Sequence, residues 1–113
     1  MPQASEFSIA ATHPALPGHF PGRPVVPGVL LLANALEAAL ALPHWAARIG
    51  AAPRLALVKF PAPVLPGADG ATLRIRFDDL GTRVRFEVSA AASDGRAAAS
   101  GEWIAVPLQA SPA

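Results

Sequence analysis

Residues 16–32, LPGHFPGRPVVPGVLLL, pass from a segment crowded with proline and glycine directly into an apolar stretch. The prolines spaced through residues 13–27 exclude both a helix and a regular strand there. Pro27 suits the first position of a helix, and the sequence predicts one that begins at Pro27 and ends before Pro43. Leucine, valine and alanine lie all round this helix, which indicates that protein surrounds it.

The remainder of the chain is typical of strands, apart from a connector at residues 43–53. Residues 5–12 alternate weakly, with Phe7 and Ile9 on one face. Strands are also predicted for three later segments, RLALVKF, ATLRIRF and TRVRFEVSA. The last two flank DDLG, which predicts a hairpin turn, and AAASGEWIAVPL closes the sheet. The predicted fold class is α+β, with a curved antiparallel sheet around one helix.

The two faces of the predicted hairpin differ in chemistry. One face carries Leu73, Ile75 and Phe77 together with their expected partners Val84, Phe86 and Val88. The other carries Arg74, Arg76, Arg83 and Arg85. An arginine face of this kind is usually solvated, and it also has the charge to attract an acidic partner protein.

Length and composition limit the number of domains and the classes of partner that we expect. The chain has 113 residues, which predicts a single domain over 1–113 with a core at about 5–107 and a disordered tail at 108–113. Charged residues make up 15% and the net charge is +1, so we expect no nucleic-acid partner. There is no cysteine, no signal-peptide pattern, and no apolar run long enough to insert into a membrane, so we expect a cytoplasmic protein.

The predicted start of the helix lacks a side-chain cap. We place the N-cap at Val26, which cannot accept a hydrogen bond from the first turn. The amides of Gly28 and Val29 are then available to a carbonyl or an anion at the positive end of the helix dipole. Gly28 also lets a ligand approach the backbone closely. The alternative is that water or a neighbouring carbonyl satisfies these amides.

His19 is the candidate base. It lies with Phe20 between two Pro-Gly corners that restrict where the ring points. An imidazole near a helix N-terminus suits general base catalysis near neutral pH, although a loop histidine is more often structural or exposed. His13 and His44 are weaker candidates, and no acidic cluster accompanies the histidines, so we expect no metal site.

GHFPGRPVVPGVLLL closely resembles the central motif of the hot-dog fold 3-hydroxyacyl-[acyl carrier protein] dehydratases, and VKFPAPVLPGAD resembles their later strand and turn. The resemblance spans roughly residues 7–106. It implies a long helix wrapped by an antiparallel sheet, two such units paired as a dimer, and a substrate held as a thioester on phosphopantetheine of acyl carrier protein or CoA. No other cofactor is implied.

The same resemblance assigns roles to residues of the opening stretch. His19 removes the α-proton of a (3R)-3-hydroxyacyl thioester, and the amide of Gly28 binds the thioester carbonyl. Phe20, Pro27 and Val29 belong to the substrate-binding region, with Arg23 beside the tunnel mouth, where it can attract the carrier. The product implied is a trans-2-enoyl thioester.

The sequence departs from the family at Ala33, where a helix carboxylate is usual. Glu37 lies one turn further on the same face, and its side chain leans back toward the gap, so we take it as a candidate proton source. A glutamate at the tunnel end or facing an arginine is the structural alternative. Asn34 is more simply explained by a hydrogen bond to sheet backbone.

Three functions remain open. The leading one is dehydration of a 3-hydroxyacyl thioester, with either Glu37, a water or His19 itself returning the proton. The second is a catalytically degenerate hot-dog subunit that binds acyl thioesters, or supplies His19 to a heterodimer whose other chain brings the acid. Thioester hydrolysis is third, and the GHFPG motif disfavours it.

Overall fold

The computed structural model describes residues 3–9, 26–65, 70–91 and 96–107. Within these ranges the elements are β1 (Gln3–Ile9), α1 (Gly28–Ala41), α2 (Pro43–Ile49), β2 (Leu55–Lys59), β3 (Ala71–Asp79), β4 (Arg83–Ala90) and β5 (Ala97–Ile104). The strands form an antiparallel sheet in the order β1-β3-β4-β5-β2. Helix α1 packs across β3, β4 and β5, which confirms the predicted α+β class.

The central hairpin forms the core. Its six predicted inward side chains, Leu73, Ile75, Phe77, Val84, Phe86 and Val88, are all fully buried. Strand β3 extends through Asp79, two residues further than predicted, and the turn lies at residues 80–82. Gly81 takes a positive φ of 88° in this turn, a conformation that favours glycine.

The outer face of the hairpin has its charges paired. Arg74 lies 3.5 Å from Glu6, Arg83 lies 3.5 Å from Glu102, and Arg85 lies 3.3 Å from Glu87. Arg76 stands opposite Glu87 in the strand register. These arginines therefore form a mixed-charge surface, which gives an acidic partner little net attraction.

Helix α1 is covered on one side by its own chain. Its buried residues are Leu31, Ala35 and Ala39, which share one face at intervals of four. On another side, Val29 is 73% exposed and Leu40 46% exposed. The prediction that protein surrounds the helix is therefore wrong for the described part of this chain, because the sheet lies against one face only.

A second helix, α2, replaces the predicted connector. Pro43 occupies its first turn, and Trp45, Arg48 and Ile49 are buried. Arg48 pairs with Asp79 through Nε and Oδ2 at 2.7 Å, and donates further hydrogen bonds to the carbonyls of Gly81, at 2.6 Å, and Val106. The Gly81 amide also donates to Asp79 Oδ1, at 2.8 Å. The hydrogen bond from Arg48 and then the one from the Gly81 amide hold the pKa of Asp79 down to about 2. One buried side chain thus fastens α2, the hairpin turn and the segment after β5 together.

Two strands contain an extra residue. The β4–β5 register passes from Val88↔Ala99 to Ser89↔Ala97, so Ala98 is a bulge in β5. A similar shift between Leu55 and Leu57 disturbs the pairing of β2 with β5. Strand β2 is at the sheet edge and is mostly exposed, unlike the half-buried strand that alternation predicts.

Among the described residues, no single helix is long and apolar enough to cross a membrane. Helices α1 and α2 reach the required length and composition only as a pair, which is bent by 112°.

Candidate active site

The start of α1 has no side-chain cap, as the sequence predicts, but the cap residue is different. Pro27 is the N-cap, with φ −59° and ψ 138°, and Gly28 is the first helical residue. The predictions of Val26 as N-cap and of Pro27 as the first helical residue are each wrong by one position. Pro27 lies outside the helix because its ψ is extended rather than helical.

Hydrogen bonds at this helix start divide the amides into two groups. The Pro27 carbonyl accepts from Leu30 N at 3.0 Å and from Leu31 N at 3.3 Å. The amides of Gly28 and Val29 have no acceptor among the described residues. These two donors lie at the positive end of the helix dipole, where a carbonyl oxygen gaining negative charge is stabilised.

The segment after β2 holds this helix start in place. Val26 N donates to Val64 O at 2.9 Å, and both side chains are buried. The ring of Phe60 lies against Gly28 so closely that a Cβ at Gly28 would meet ring carbons at 2.9 Å. A side chain at position 28 would therefore displace the Phe60 ring or the Gly28 backbone.

A cavity of about 250 Å³ opens beside Gly28. Its other lining residues are Val26, Leu31, Phe60, Ala62, Pro63 and Ala98, contributed by the start of α1, the segment after β2, and β5. None of these side chains carries a charge or a hydrogen-bonding group. The Gly28 backbone thus adjoins a site suited to an apolar group.

Ala33 and Glu37 share the exposed side of α1, as their spacing predicts. Glu37 lines a different recess, a groove of about 410 Å³ that also includes Asn34, Glu6 and Phe7. Gly28 and Glu37 are nine residues apart, or about 13 Å along the helix axis. One chain therefore does not bring the Glu37 carboxylate to its own Gly28 amide.

Within the part of the chain that the structure describes, the partners expected from the structural explanations of Glu37 and Asn34 are absent. No arginine within the described ranges pairs with Glu37, and none of the sheet backbone described here hydrogen-bonds to Asn34. Both side chains face the groove beside β1 instead.

The remaining predicted site residues, His19, Phe20 and Arg23, lie outside the described residues, as do His13 and the tail at 108–113. Of the residues that line the cavity beside Gly28, only Gly28 itself is predicted from the sequence as a site residue. Phe60 lies inside the quoted VKFPAPVLPGAD segment, so its position was a usable signal. Ala98 has no local signal, because the bulge that places it depends on pairing with β4.

Sequence comparisons identify relatives along most of the chain. A family model described as ApeI-like, ApeI dehydratase, matches residues 3–102. The 3-hydroxyacyl-[acyl-carrier-protein] dehydratase FabZ of Roseiflexus castenholzii is 33% identical over 101 residues, which cover 86% of this chain and 70% of that protein. FabZ of Desulforamulus reducens is 38% identical over 80 residues, covering 67% of this chain and 54% of that one.

A solved structure shares the fold. The dehydratase heterocomplex ApeI:P from Xenorhabdus doucetiae contains a chain that superposes with a TM-score of 0.65 at 20% sequence identity, covering 92% of this chain and 86% of that one. The predicted hot-dog fold is confirmed. The chain belongs to the ApeI-like dehydratases, within the hot-dog 3-hydroxyacyl-[acyl-carrier-protein] dehydratase family.

Proposed function

We propose that this member of the dehydratase family converts (3R)-3-hydroxyacyl thioesters on acyl carrier protein into trans-2-enoyl thioesters. The observation that supports the proposal best is the uncapped first turn of α1, whose Gly28 amide adjoins an apolar cavity. A thioester carbonyl at this amide gains a donor, and the hydrocarbon beside it gains an apolar surface.

The mechanism starts at the α-carbon. His19 takes the α-proton while the Gly28 N–H donates to the thioester oxygen, which carries the developing negative charge. The β-carbon then loses its hydroxyl, which is protonated and leaves as water, and the electron pair of the broken C–H bond forms the new double bond. His19 itself, a water, or Glu37 of a second chain returns the proton, since Ala33 has none to give.

The thioester is carried on phosphopantetheine, and no other cofactor takes part in the proposed reaction. Arg23 is the proposed contact for an acidic carrier protein. The outer sheet face is a poorer docking surface for a carrier, because Arg74, Arg83 and Arg85 each lie within 3.5 Å of a glutamate.

A second chain is proposed to complete the site. The exposed side of α1 presents Val29 and Leu40, and β2 at the sheet edge presents Leu55 and Leu57, each 40% exposed. Apolar surface of this kind is typical of an interface between subunits. Because Glu37 lies about 13 Å along the helix from Gly28, it serves a site only across such an interface.

The second candidate function is a degenerate subunit that works beside a related chain. Ala33 on the exposed side of α1 favours it, because a partner that carries a carboxylate at this position would supply the missing acid. The structural neighbour from Xenorhabdus doucetiae is itself described as a heterocomplex.

Hydration of a carrier-bound trans-2-enoyl thioester, followed at the loss of enoyl absorbance, tests both candidates. We expect turnover by the wild type, none above background for His19→Ala, and reduced turnover for Glu37→Gln if Glu37 returns the proton. Full activity in folded His19→Ala would contradict the assignment of the base.

Ala33→Glu separates the two candidates. If the chain is a degenerate subunit, this variant gains activity over an inactive wild type, and the wild type becomes active only with a related chain that bears Asp or Glu at this position. Wild-type turnover by the purified chain alone favours the dehydratase.

A further inference from the structure

The bulge in β5 changes which side chains face the helix. In a regular strand, adjacent side chains point to opposite faces of the sheet. Here Ala98 is 3% exposed and its neighbour Ala99 is 0% exposed, so two consecutive residues are buried. The extra residue makes this possible, since a bulge redirects a side chain at the point where pairing is interrupted.

Ala98 contributes to the cavity beside Gly28. Leu31 of α1 lines the same cavity, and Phe60 and Ala62 come from the segment after β2. Three different parts of the chain therefore line one cavity with Gly28, whose amide we assign to the thioester carbonyl. Apart from Gly28, the residues with the smallest side chains in this lining are Ala62 and Ala98.

The size and chemistry of the cavity limit what enters it. Its volume of about 250 Å³ is below the roughly 300–1,000 Å³ usual for pockets that hold a whole small-molecule ligand. Its side chains are all apolar. The cavity thus suits a hydrocarbon portion of a substrate whose polar part lies outside.

We propose that Ala98 is a specificity-determining residue, whose small side chain on the β5 bulge leaves room for the alkyl chain of an acyl thioester bound at Gly28. This inference rests on the proposed function for the position of the thioester. A larger side chain at position 98 shortens the acyl chain that the protein accepts.

The test measures binding rather than turnover. Butyryl-pantetheine and octanoyl-pantetheine lack the 3-hydroxyl group and cannot be dehydrated, so their dissociation constants report only the fit of the chain. Calorimetric titrations would compare the wild type with Ala98→Leu. A second variant, Ala62→Leu, narrows the same cavity from a half-buried position in the connecting segment.

For Ala98→Leu we expect octanoyl-pantetheine to bind at least about tenfold more weakly, while butyryl-pantetheine changes by less than about threefold. Ala97→Leu is the matched control, because Ala97 is the neighbour in β5 and does not line the cavity. It should leave the preference for chain length unchanged. If thermal denaturation shows that Ala98→Leu does not fold, the binding measurements on Ala62→Leu test the inference in its place.

Unchanged octanoyl binding in the folded variants would overturn the inference, as would a wild type that binds neither thioester. A wild type that binds with a preference for chain length that Ala98→Leu abolishes supports it, even where no enoyl thioester is turned over. In that case the proposed dehydration fails and the assignment of the cavity stands.

Discussion

The hydrogen-bond network around Arg48 and the start of α1 differ in whether their polar groups have partners; we call them the satisfied end and the unsatisfied end. Around Arg48, the guanidinium, the Asp79 carboxylate and the Gly81 and Val106 carbonyls satisfy one another. At the start of α1, the amides of Gly28 and Val29 have no acceptor among the described residues, and Gly28 lines a cavity. A satisfied buried network stabilises a fold, whereas unsatisfied donors beside a cavity are available to a ligand.

The largest expected effect comes from breaking the satisfied end. Arg48→Ala should lower the free energy of unfolding by about 3 kcal/mol, because it removes a buried side chain together with the hydrogen bonds that it donates to Asp79, Gly81 and Val106. Urea denaturation followed by circular dichroism measures the loss. Arg48→Met, which retains an apolar stem, should recover part of it, and an unchanged midpoint for both variants would contradict the structural role.

At the unsatisfied end, we expect a substitution to reduce activity more than it reduces stability. In Gly28→Ala the new methyl group meets the Phe60 ring at about 2.9 Å, so the ring or the amide must move. We expect kcat/KM for hydration of an enoyl thioester to fall at least about tenfold. The free energy of unfolding should change by less than about 1 kcal/mol, because alanine favours the helix.

Gly101→Ala provides the contrast to Gly28→Ala. A Cβ at Gly101 would meet the Leu57 carbonyl oxygen and the Phe86 ring at 2.6 Å, and a backbone atom in a sheet cannot move aside easily. This variant should lose stability by about 1–3 kcal/mol in the same urea measurement. If Gly28→Ala is the more destabilised of the two, the distinction between the ends is wrong.

Acid should weaken the satisfied end selectively. The pKa of Asp79 is lowered from 3.8 to about 2 in the folded protein, so its contribution to stability is full above the unfolded value and is lost as the pH falls through the folded value. Urea midpoints at pH 5 and pH 2.5 should therefore differ more for the wild type than for Asp79→Asn. Equal pH dependence in both proteins would show that the Asp79 carboxylate does not cause the loss of stability in acid.

The smallest effect is expected on the outer sheet face. Arg74 and Glu6 are about half exposed and 3.5 Å apart, so water screens their attraction. Arg74→Ala should change the free energy of unfolding by less than about 0.5 kcal/mol in the same assay. A loss comparable to that of Arg48→Ala would show that the difference in exposure does not determine how much each arginine contributes to stability.

The sequence predicts best where the cause is local. Alternation with a period of two correctly assigns Phe77 and Phe86 to the buried face, because each strand shows its pattern within a few residues. The uncapped helix start is confirmed on similar grounds, since capping depends on the residue next to the first turn. The error of one position at Pro27 reflects the backbone angle of a single residue.

The failures concern features that arise from distant parts of the chain. A connector is predicted around Arg48, although Pro43 is a usable signal for the start of a helix. The acceptors of Arg48 are remote in sequence. Strand β2 alternates like a half-buried strand, but its position at the sheet edge leaves it exposed. Ala98 owes its place to a register shift that no segment of the sequence shows by itself.

The hydrogen bonds of Arg48 also have a consequence for folding kinetics. They join residues separated by 31, 33 and 58 positions, so we expect them to form late, once α2, the hairpin turn and the segment after β5 are in place. Interactions that form late contribute little to the transition state and slow the escape from the native state. We therefore expect Arg48→Ala to speed unfolding more than it slows folding.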